Sequence, residues 1–180
     1  MTSIGGVQKY VFLQNVDVSG NQLTSLSALG SIRHLLKLNA ANNRLKYMFD
    51  FKAPSNLEWV DYSGNNIMTI SNVHANPYLK YLYLDNNNIS RIEGLETNKS
   101  LRVLSLNGNQ IAKIENLPNL WLEELFLSAN QLAVIEGLDS LPVLRTLDLS
   151  KNQIGKLQGL ETIHSLKFLN LSLNNVKKIN

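Results

Sequence analysis

The sequence predicts an α/β solenoid, a right-handed horseshoe of about eight repeats with a parallel β-sheet on its concave side. Three observations predict it. An asparagine recurs about every 22 residues, apolar columns recur at fixed distances from it, and prolines are confined to the segments between these motifs. The asparagines are Asn21, Asn43, Asn65, Asn87, Asn109, Asn130, Asn152 and Asn174. One repeat period therefore organises residues 1–180, which we interpret as a single domain.

The apolar columns indicate where the strands lie. If the asparagine is counted as the ninth residue, the first residue of every repeat is leucine, the fourth is leucine or valine, and the eleventh is leucine, isoleucine or valine. Apolar residues that alternate around the fifth position are typical of a short strand. Each successive strand runs in the same direction, so the strands form a parallel sheet whose leucines are buried against the neighbouring repeats.

The residues outside the strands support this assignment. We expect each asparagine amide to donate to and accept from backbone groups of adjacent turns, forming a buried ladder. All four prolines fall in the return segments, as a sheet interior requires: Pro54, Pro77, Pro118 and Pro142. About ten residues are left for each return, which predicts extended turns and short 3-10 pieces on the convex side.

Three four-residue blocks, together with these columns, resemble the family of short 22-residue leucine-rich repeats. The blocks are Ile92-Glu93-Gly94-Leu95, Ile114-Glu115-Asn116-Leu117 and Ile135-Glu136-Gly137-Leu138. The family includes the leucine-rich regulatory subunit of protein phosphatase 1 and related intracellular eukaryotic proteins of cilia, centrosomes and splicing particles. Bacterial internalins share the repeat length, but these blocks are less similar to theirs. The resemblance implies binding through the concave sheet and a cytoplasmic location, with the nucleus, cytoskeleton or cilia as alternatives.

Composition restricts the other classes of protein. Hydrophobic residues make up 44% of the chain and charged residues 17%, which is typical of a folded domain. The absence of cysteine excludes disulfides and thiolate chemistry, and it favours a reducing compartment. No stretch reaches the roughly 18 to 20 apolar residues that span a membrane. A net charge of +3 identifies neither nucleic acid nor membrane as the partner.

The repeat pattern also runs to both ends of the sequence. Ile4, Val7 and Tyr10 extend the apolar columns before the first repeat, and Val176 and Ile179 extend them after the last. We expect either frayed ends or, as the favoured interpretation, a domain of a longer protein, because terminal repeats normally carry a polar cap.

The third, fifth and seventh positions of each repeat point away from the leucine core. They carry five aromatic residues, of which Trp59, Tyr81 and Tyr83 should form one exposed patch edged by Asp61 and Asp85. Exposed aromatic residues flanked by charge are typical of interface hot spots. The alternative is that aromatic residues simply suit strands and stack along the sheet. The predicted partner-binding residues are Trp59, Asp61, Tyr81, Tyr83, Asp85, Phe126, Asp148 and Phe168.

Catalytic and metal-binding constellations are not evident. The concave columns contain neither histidine nor cysteine, and Lys37 is their only lysine. The three histidines lie in return segments at different phases of the repeat: His34, His74 and His164. We therefore expect no enzyme, cofactor or metal in this segment. A catalytic domain outside the segment, targeted by the repeats, is an alternative.

A charged edge supports a second class of function. Position thirteen carries the basic residues Arg91, Lys113, Lys156 and Lys178, and position fifteen carries the acidic residues Glu93, Glu115 and Glu136. We favour a solvated edge with ladders of opposite charge over a stripe that binds nucleic acid or acidic tails. The sequence therefore predicts a monomeric protein-interaction scaffold or regulatory adaptor, for which nucleic acid and membrane are not the expected partners.

Overall fold

A computed structural model describes residues 1–118 and 120–177, and it contains one parallel sheet of eight strands. The strands follow one another across the sheet in chain order, and each has three residues. They are β1 (Asn15–Asp17), β2 (Lys37–Asn39), β3 (Trp59–Asp61), β4 (Tyr81–Tyr83), β5 (Val103–Ser105), β6 (Glu124–Phe126), β7 (Thr146–Asp148) and β8 (Phe168–Asn170). Equivalent repeat positions pair in register, as Leu82 does with Leu104. The predicted parallel solenoid is thus confirmed.

The core is the stack of leucine columns enclosed between the sheet and the return segments. Leu57 and Leu79 are fully buried, and so are most of their counterparts in the central repeats. Burial weakens at the ends, where Leu13 and Leu169 are only partly covered because a neighbouring turn lies on one side alone. Of the predicted extensions, Ile4 and Val7 are half-buried against the core, whereas Tyr10 and Val176 are exposed. Lys178 and Ile179 lie outside the described residues.

The convex side consists of extended turns and three short 3-10 helices. These span Val7–Lys9, Ser27–Ser31 and Val73–Ala75. The part of the chain that the structure describes contains no α-helix, as the short return segments predict. No helix within residues 1–118 and 120–177 has the length and apolar character needed to cross a membrane.

Each strand is followed, three residues after its end, by a left-handed residue at the eighth position of the repeat. All eight have φ between 53° and 67°: Gly20, Asn42, Gly64, Asn86, Gly108, Ala129, Lys151 and Leu173. Glycine and asparagine tolerate this conformation best, which explains why they occupy five of these positions. The left-handed residue turns the chain out of the sheet and delivers the next residue, the ladder asparagine, into the interior.

A second left-handed position explains the Ile-Glu-Gly/Asn-Leu blocks. Gly137 has a φ of 70°, and a Cβ there would overlap the carbonyl oxygen of Ile114 in the preceding repeat. At the same position Asn116 has a φ of 57° and donates its side-chain amide to the Ile92 carbonyl over 2.9 Å. The carbonyl of the preceding repeat therefore requires at this position either glycine, which has no side chain, or asparagine, which donates a hydrogen bond to it.

The asparagine ladder has the predicted arrangement. The Asn109 amide nitrogen donates to the carbonyls of Leu84 and Leu106 over 2.9 and 3.0 Å, and its Oδ1 accepts the Ile89 N–H over 3.0 Å. Each carboxamide thus joins its own turn to the preceding one. The same acceptance from the preceding repeat recurs at Asn43, Asn65, Asn87, Asn130, Asn152 and Asn174.

A buried tyrosine of the third repeat anchors the backbone of the second repeat. Tyr62 occupies a sixth position, where the next five repeats carry leucine, and it is fully buried. Its hydroxyl oxygen accepts the N–H of Phe49 over 3.2 Å, and the two rings meet edge to face at 5.5 Å. Phe49 has a φ of 46°, so this contact holds a left-handed backbone in place. Burial raises the pKa of the Tyr62 phenol well above its usual range.

Candidate partner-binding face

The concave face is less exposed than its sequence pattern suggests. Tyr81 and Phe168 are exposed, at 38% and 53%, whereas Trp59, Tyr83 and Phe126 are half-buried. Val103 and Ser105 on β5 are buried, although the third and fifth positions were expected to face solvent. Neighbouring strands lie only about 4.8 Å apart, so a small residue is covered by the larger side chains that pair with it. These are Tyr81 and Glu124 beside Val103, and Tyr83 and Phe126 beside Ser105. Of the three rings expected to form one exposed patch, Tyr81 is exposed, whereas Trp59 and Tyr83 are half-buried.

The aromatic contact on this face runs diagonally between strands. Trp59 is opposite Tyr81 in the register of β3 and β4, but its ring meets that of Tyr83, with centroids 5.6 Å apart and planes tilted by 48°. Phe126 on β6 and Phe168 on β8 lie two and four strands beyond β4, about 10 and 19 Å away. The predicted residues thus form a central group on β3 and β4, with two further aromatic residues along the sheet.

Exposed aromatic side chains also occur away from this face. Phe12 is 81% exposed and stacks on His34, and Tyr47 is 68% exposed. Tyr10, Tyr78 and Trp121 are exposed as well. These residues are spread along the chain from Tyr10 to Trp121, and scattered surface aromatics of this kind are ordinary. Exposure alone therefore does not distinguish the concave face. Its distinguishing feature is the contact between two rings on adjacent strands.

The aspartates at the fifth position have a structural role at the strand ends. The Ser63 N–H donates to Asp61 Oδ1 over 2.7 Å, and the Ser150 N–H donates to Asp148 Oδ1 over 2.9 Å. Asn39 and Asn170 accept in the same way through their side-chain oxygens. These bonds close Asx turns, which are the usual local partners of such side chains. They also hold the carboxylates in fixed orientations on the face.

In the central repeats, a different side chain accepts the hydrogen bond from the backbone N–H at the seventh position. Tyr83, Ser105 and Phe126 occupy the fifth position there, so the side chain at the seventh position of the preceding repeat supplies the acceptor. The backbone N–H groups of Asp85, Asn107 and Ser128 donate to Ser63 Oγ, Asp85 Oδ1 and Asn107 Oδ1 over 3.2, 2.8 and 2.7 Å. This relay leaves the fifth position free for rings. It was not anticipated from the sequence, because the acceptor lies 21 or 22 residues away from the group it satisfies.

The electrostatics of the central group are set by burial and by neighbouring carboxylates. Burial raises the pKa of Asp85, against the hydrogen bonds that it accepts from Ser105 and Asn107, and the charge of Asp61 raises it further. Burial also raises the pKa of the Tyr83 phenol, and the charges of Glu124 and Asp61 add to the effect. Tyr83 therefore lies within the field of two carboxylates.

A cleft beside Trp59 extends the face to the first two strands. It has a volume of about 360 Å³, and its polar lining comes from Asn15, Asp17, Lys37 and Asn39. Sequence reasoning placed these residues on the concave face but did not include them in the site. The relevant signal was the register, which puts Lys37 directly opposite Trp59.

The charged edge contains the opposite-charge ladder that we favoured. Arg91 pairs with Glu115 of the next repeat over 2.7 Å, and Lys113 pairs with Glu136 over 3.9 Å. Lys156 is exposed, and Lys178 lies outside the described residues. Two of the three described basic residues of this column are thus paired with glutamates of the next repeat.

Residues 1–118 and 120–177 contain no group of three or more histidine, aspartate or glutamate side chains that could hold a metal ion.

These features define a solenoid repeat protein whose concave sheet carries a preorganised group of aromatic and acidic side chains. The chain belongs to the leucine-rich repeat family. The family described as "Leucine Rich repeats (2 copies)" matches residues 55–97, 77–119 and 120–162, which together cover more than half of the chain. The family predicted from the sequence pattern is thus confirmed. Domains of this fold commonly serve as protein-interaction modules.

Known proteins support the same assignment. A human leucine-rich repeat and guanylate kinase domain-containing protein is 45% identical over 49 residues, which is 27% of this chain and 6% of that protein. The leucine-rich repeat domain of APL1B superposes with a TM-score of 0.85 at 22% identity, covering 100% of this chain and 54% of that one. The TLR13–ssRNA13 complex gives a TM-score of 0.83 at 21% identity, covering 98% and 27%. At these identities the structural neighbours show the fold alone.

Proposed function

We propose that this chain is a protein-interaction scaffold or regulatory adaptor that binds a partner protein on its concave face. The supporting observation is the contact between Trp59 and Tyr83 on adjacent strands, next to the exposed Tyr81. Large aromatic side chains are the commonest anchors of protein interfaces. The carboxylates of Asp61, Asp85 and Asp148 are already held by hydrogen bonds. A partner would therefore find them ordered, with little further loss of side-chain entropy.

The remaining predicted site residues are proposed as outlying contacts. Phe126 and Phe168 continue the aromatic character of the face along β6 and β8. We also propose a monomeric, intracellular protein, for which the support is the cysteine-free composition and the resemblance to intracellular repeat proteins. Because the named human relative combines such repeats with a guanylate kinase domain, a docking module within a larger enzyme is the second candidate.

Affinity capture with matched variants tests the proposal. The double variant Trp59→Ala/Tyr83→Ala should lose the partners that the unaltered chain retains. The matched control Tyr47→Ala/Tyr78→Ala removes two exposed rings away from the face and should retain them. Crosslinks from the partner should fall on the concave strands. Partner capture that is unaffected by the face variant would contradict the proposal.

A third variant addresses the charged edge. Changing Arg91, Lys113 and Lys156 together to glutamine should leave partner capture largely intact, because two of these cations are already paired with glutamates. If this variant instead lost the partner and binding weakened steeply between low and physiological salt, the edge would be the binding site for nucleic acid or acidic tails.

A further inference from the structure

Formal charge is segregated between the concave face and the rest of the protein. The third, fifth and seventh positions of the eight repeats carry five carboxylates and a single ammonium group, that of Lys37. The carboxylates are Asp17, Asp61, Asp85, Glu124 and Asp148. The face therefore has a net charge of −4, and since the whole chain has +3, the remainder has +7. The concave sheet is thus opposite in sign to the surface that surrounds it.

This charge lies directly beside the aromatic contact. Asp61 is opposite Tyr83 in the register of β3 and β4, and the charges of Asp61 and Glu124 both reach the Tyr83 phenol. Trp59 packs against the same ring. A planar cation stacks favourably on tryptophan and tyrosine, and its N–H groups form strong hydrogen bonds with carboxylates. The face thus offers aromatic rings for stacking and a carboxylate for hydrogen bonding on two adjacent strands, β3 and β4.

We propose that the partner segment bound on this face carries arginine, with a guanidinium group stacked on the Trp59–Tyr83 pair and hydrogen-bonded to Asp61. This inference rests on the proposed function and specifies the chemistry of the partner. Arginine is favoured over lysine because its planar, weakly hydrated guanidinium combines ring stacking with directed donors. The same charge distribution disfavours a phosphate backbone on the sheet, since the carboxylates would repel it.

Binding of synthetic peptides to the 180-residue chain tests this chemistry. The probes are four fluorescein-labelled peptides that are identical except at alternate positions. At these positions they carry arginine, lysine, citrulline or glutamate. Citrulline retains the shape of arginine without its charge. By fluorescence anisotropy the arginine peptide should bind about tenfold or more tightly than the citrulline peptide, with lysine between them and glutamate not binding.

A neutralised face provides the matching protein variant. Asp61→Asn/Asp85→Asn/Glu124→Gln removes three charges without removing the acceptor atoms at the strand ends. Asparagine already performs these roles in the same columns, at Asn39 and at Asn107. This variant should therefore fold, which circular dichroism will check, and should bind the arginine peptide about tenfold or more weakly.

An off-face variant controls for overall charge. Glu96→Gln/Asp139→Asn/Glu161→Gln removes three exposed charges from the return segments. It should change the dissociation constant of the arginine peptide by less than about twofold, because exposed charges beyond a Debye length of about 8 Å are screened at physiological salt.

Several results would overturn the inference. These are equal affinity for the arginine and citrulline peptides, binding of the glutamate peptide, an unchanged affinity of the neutralised face, and no binding up to about 1 mM peptide. Sedimentation that shows dimers lost in the neutralised variant would identify a second copy of the chain as the occupant instead. If the neutralised variant still captures a protein partner that Trp59→Ala/Tyr83→Ala loses, this inference fails while the proposed function stands.

Discussion

Replacing Asn109 with alanine tests how the asparagine ladder stabilises the solenoid. The substitution removes three donations, to the carbonyls of Leu84, Leu106 and Asn107, and one acceptance, from the N–H of Ile89. The four lost bonds are not equivalent. Each of the three carbonyls keeps another donor: Leu84 keeps the amide of Asn87, Leu106 keeps that of Asn130, and Asn107 keeps the N–H of Asn86. Only the Ile89 N–H loses its partner.

The expected cost follows from that single unsatisfied group. Ile89 is fully buried, so water does not replace the lost acceptor. An orphaned buried donor costs about 1–3 kcal/mol, which gives roughly 2 kcal/mol for Asn109→Ala. Asn109→Asp keeps an acceptor oxygen but buries a charge that faces three carbonyls, and it should therefore be more destabilising than alanine.

Asn21 is the matched control, because among the described residues no backbone N–H donates to its side-chain oxygen. Its amide donates to Val18 and Ser19, and the Val18 carbonyl also accepts from Asn43. Asn21→Ala should therefore cost less than about 0.5 kcal/mol. Urea unfolding followed by far-UV circular dichroism measures both free energies of unfolding. Equal effects of the two alanine substitutions would refute a ladder that acts by satisfying the preceding repeat.

Three further outcomes are expected. Gly137→Ala should destabilise the protein by about 3 kcal/mol or more, and Gly20→Ala by only about 1 kcal/mol. Both glycines are left-handed, but only at Gly137 would the added Cβ overlap a carbonyl oxygen. Equal melting curves of the two variants would contradict this. The pKa of the Tyr62 phenol is raised in the folded protein, so the unfolded chain loses this proton first as the pH rises above about 10. The contribution of this group to the free energy of unfolding should therefore be constant below pH 10 and fall by about 1.4 kcal/mol per pH unit above it. The variant Tyr62→Phe should lack this slope when unfolding is measured at alkaline pH. At neutral pH Tyr62→Phe should still cost roughly 1–2 kcal/mol, because the Phe49 N–H loses its acceptor. Trp59→Ala should cost about 1–2 kcal/mol, below the 3–5 kcal/mol of a core tryptophan; a larger loss in urea melts would make this ring structural.

The fold was predictable because it depends on buried columns of one residue type. Leucine at the first position and asparagine at the ninth each satisfy a requirement that recurs in every turn, so their spacing specifies the strands, their direction and the ladder. The opposite-charge pairs, such as Arg91 with Glu115, followed from the same spacing because the partners occupy adjacent repeats. The candidate residues on the concave face were likewise identified by their repeat positions.

The arrangement of that face was decided by the tertiary structure. The ring contact is diagonal, from Trp59 to Tyr83, and depends on how large side chains share the space above closely spaced strands. Asp61 closes its own turn, whereas Asp85 satisfies the following repeat, although the two residue types are identical. A one-dimensional pattern records which position a residue occupies but not which neighbour completes its hydrogen bonds. The sequence alone therefore determined the solenoid and its faces, while packing between repeats decided which carboxylates and rings meet, because those contacts join residues about 22 positions apart in the chain.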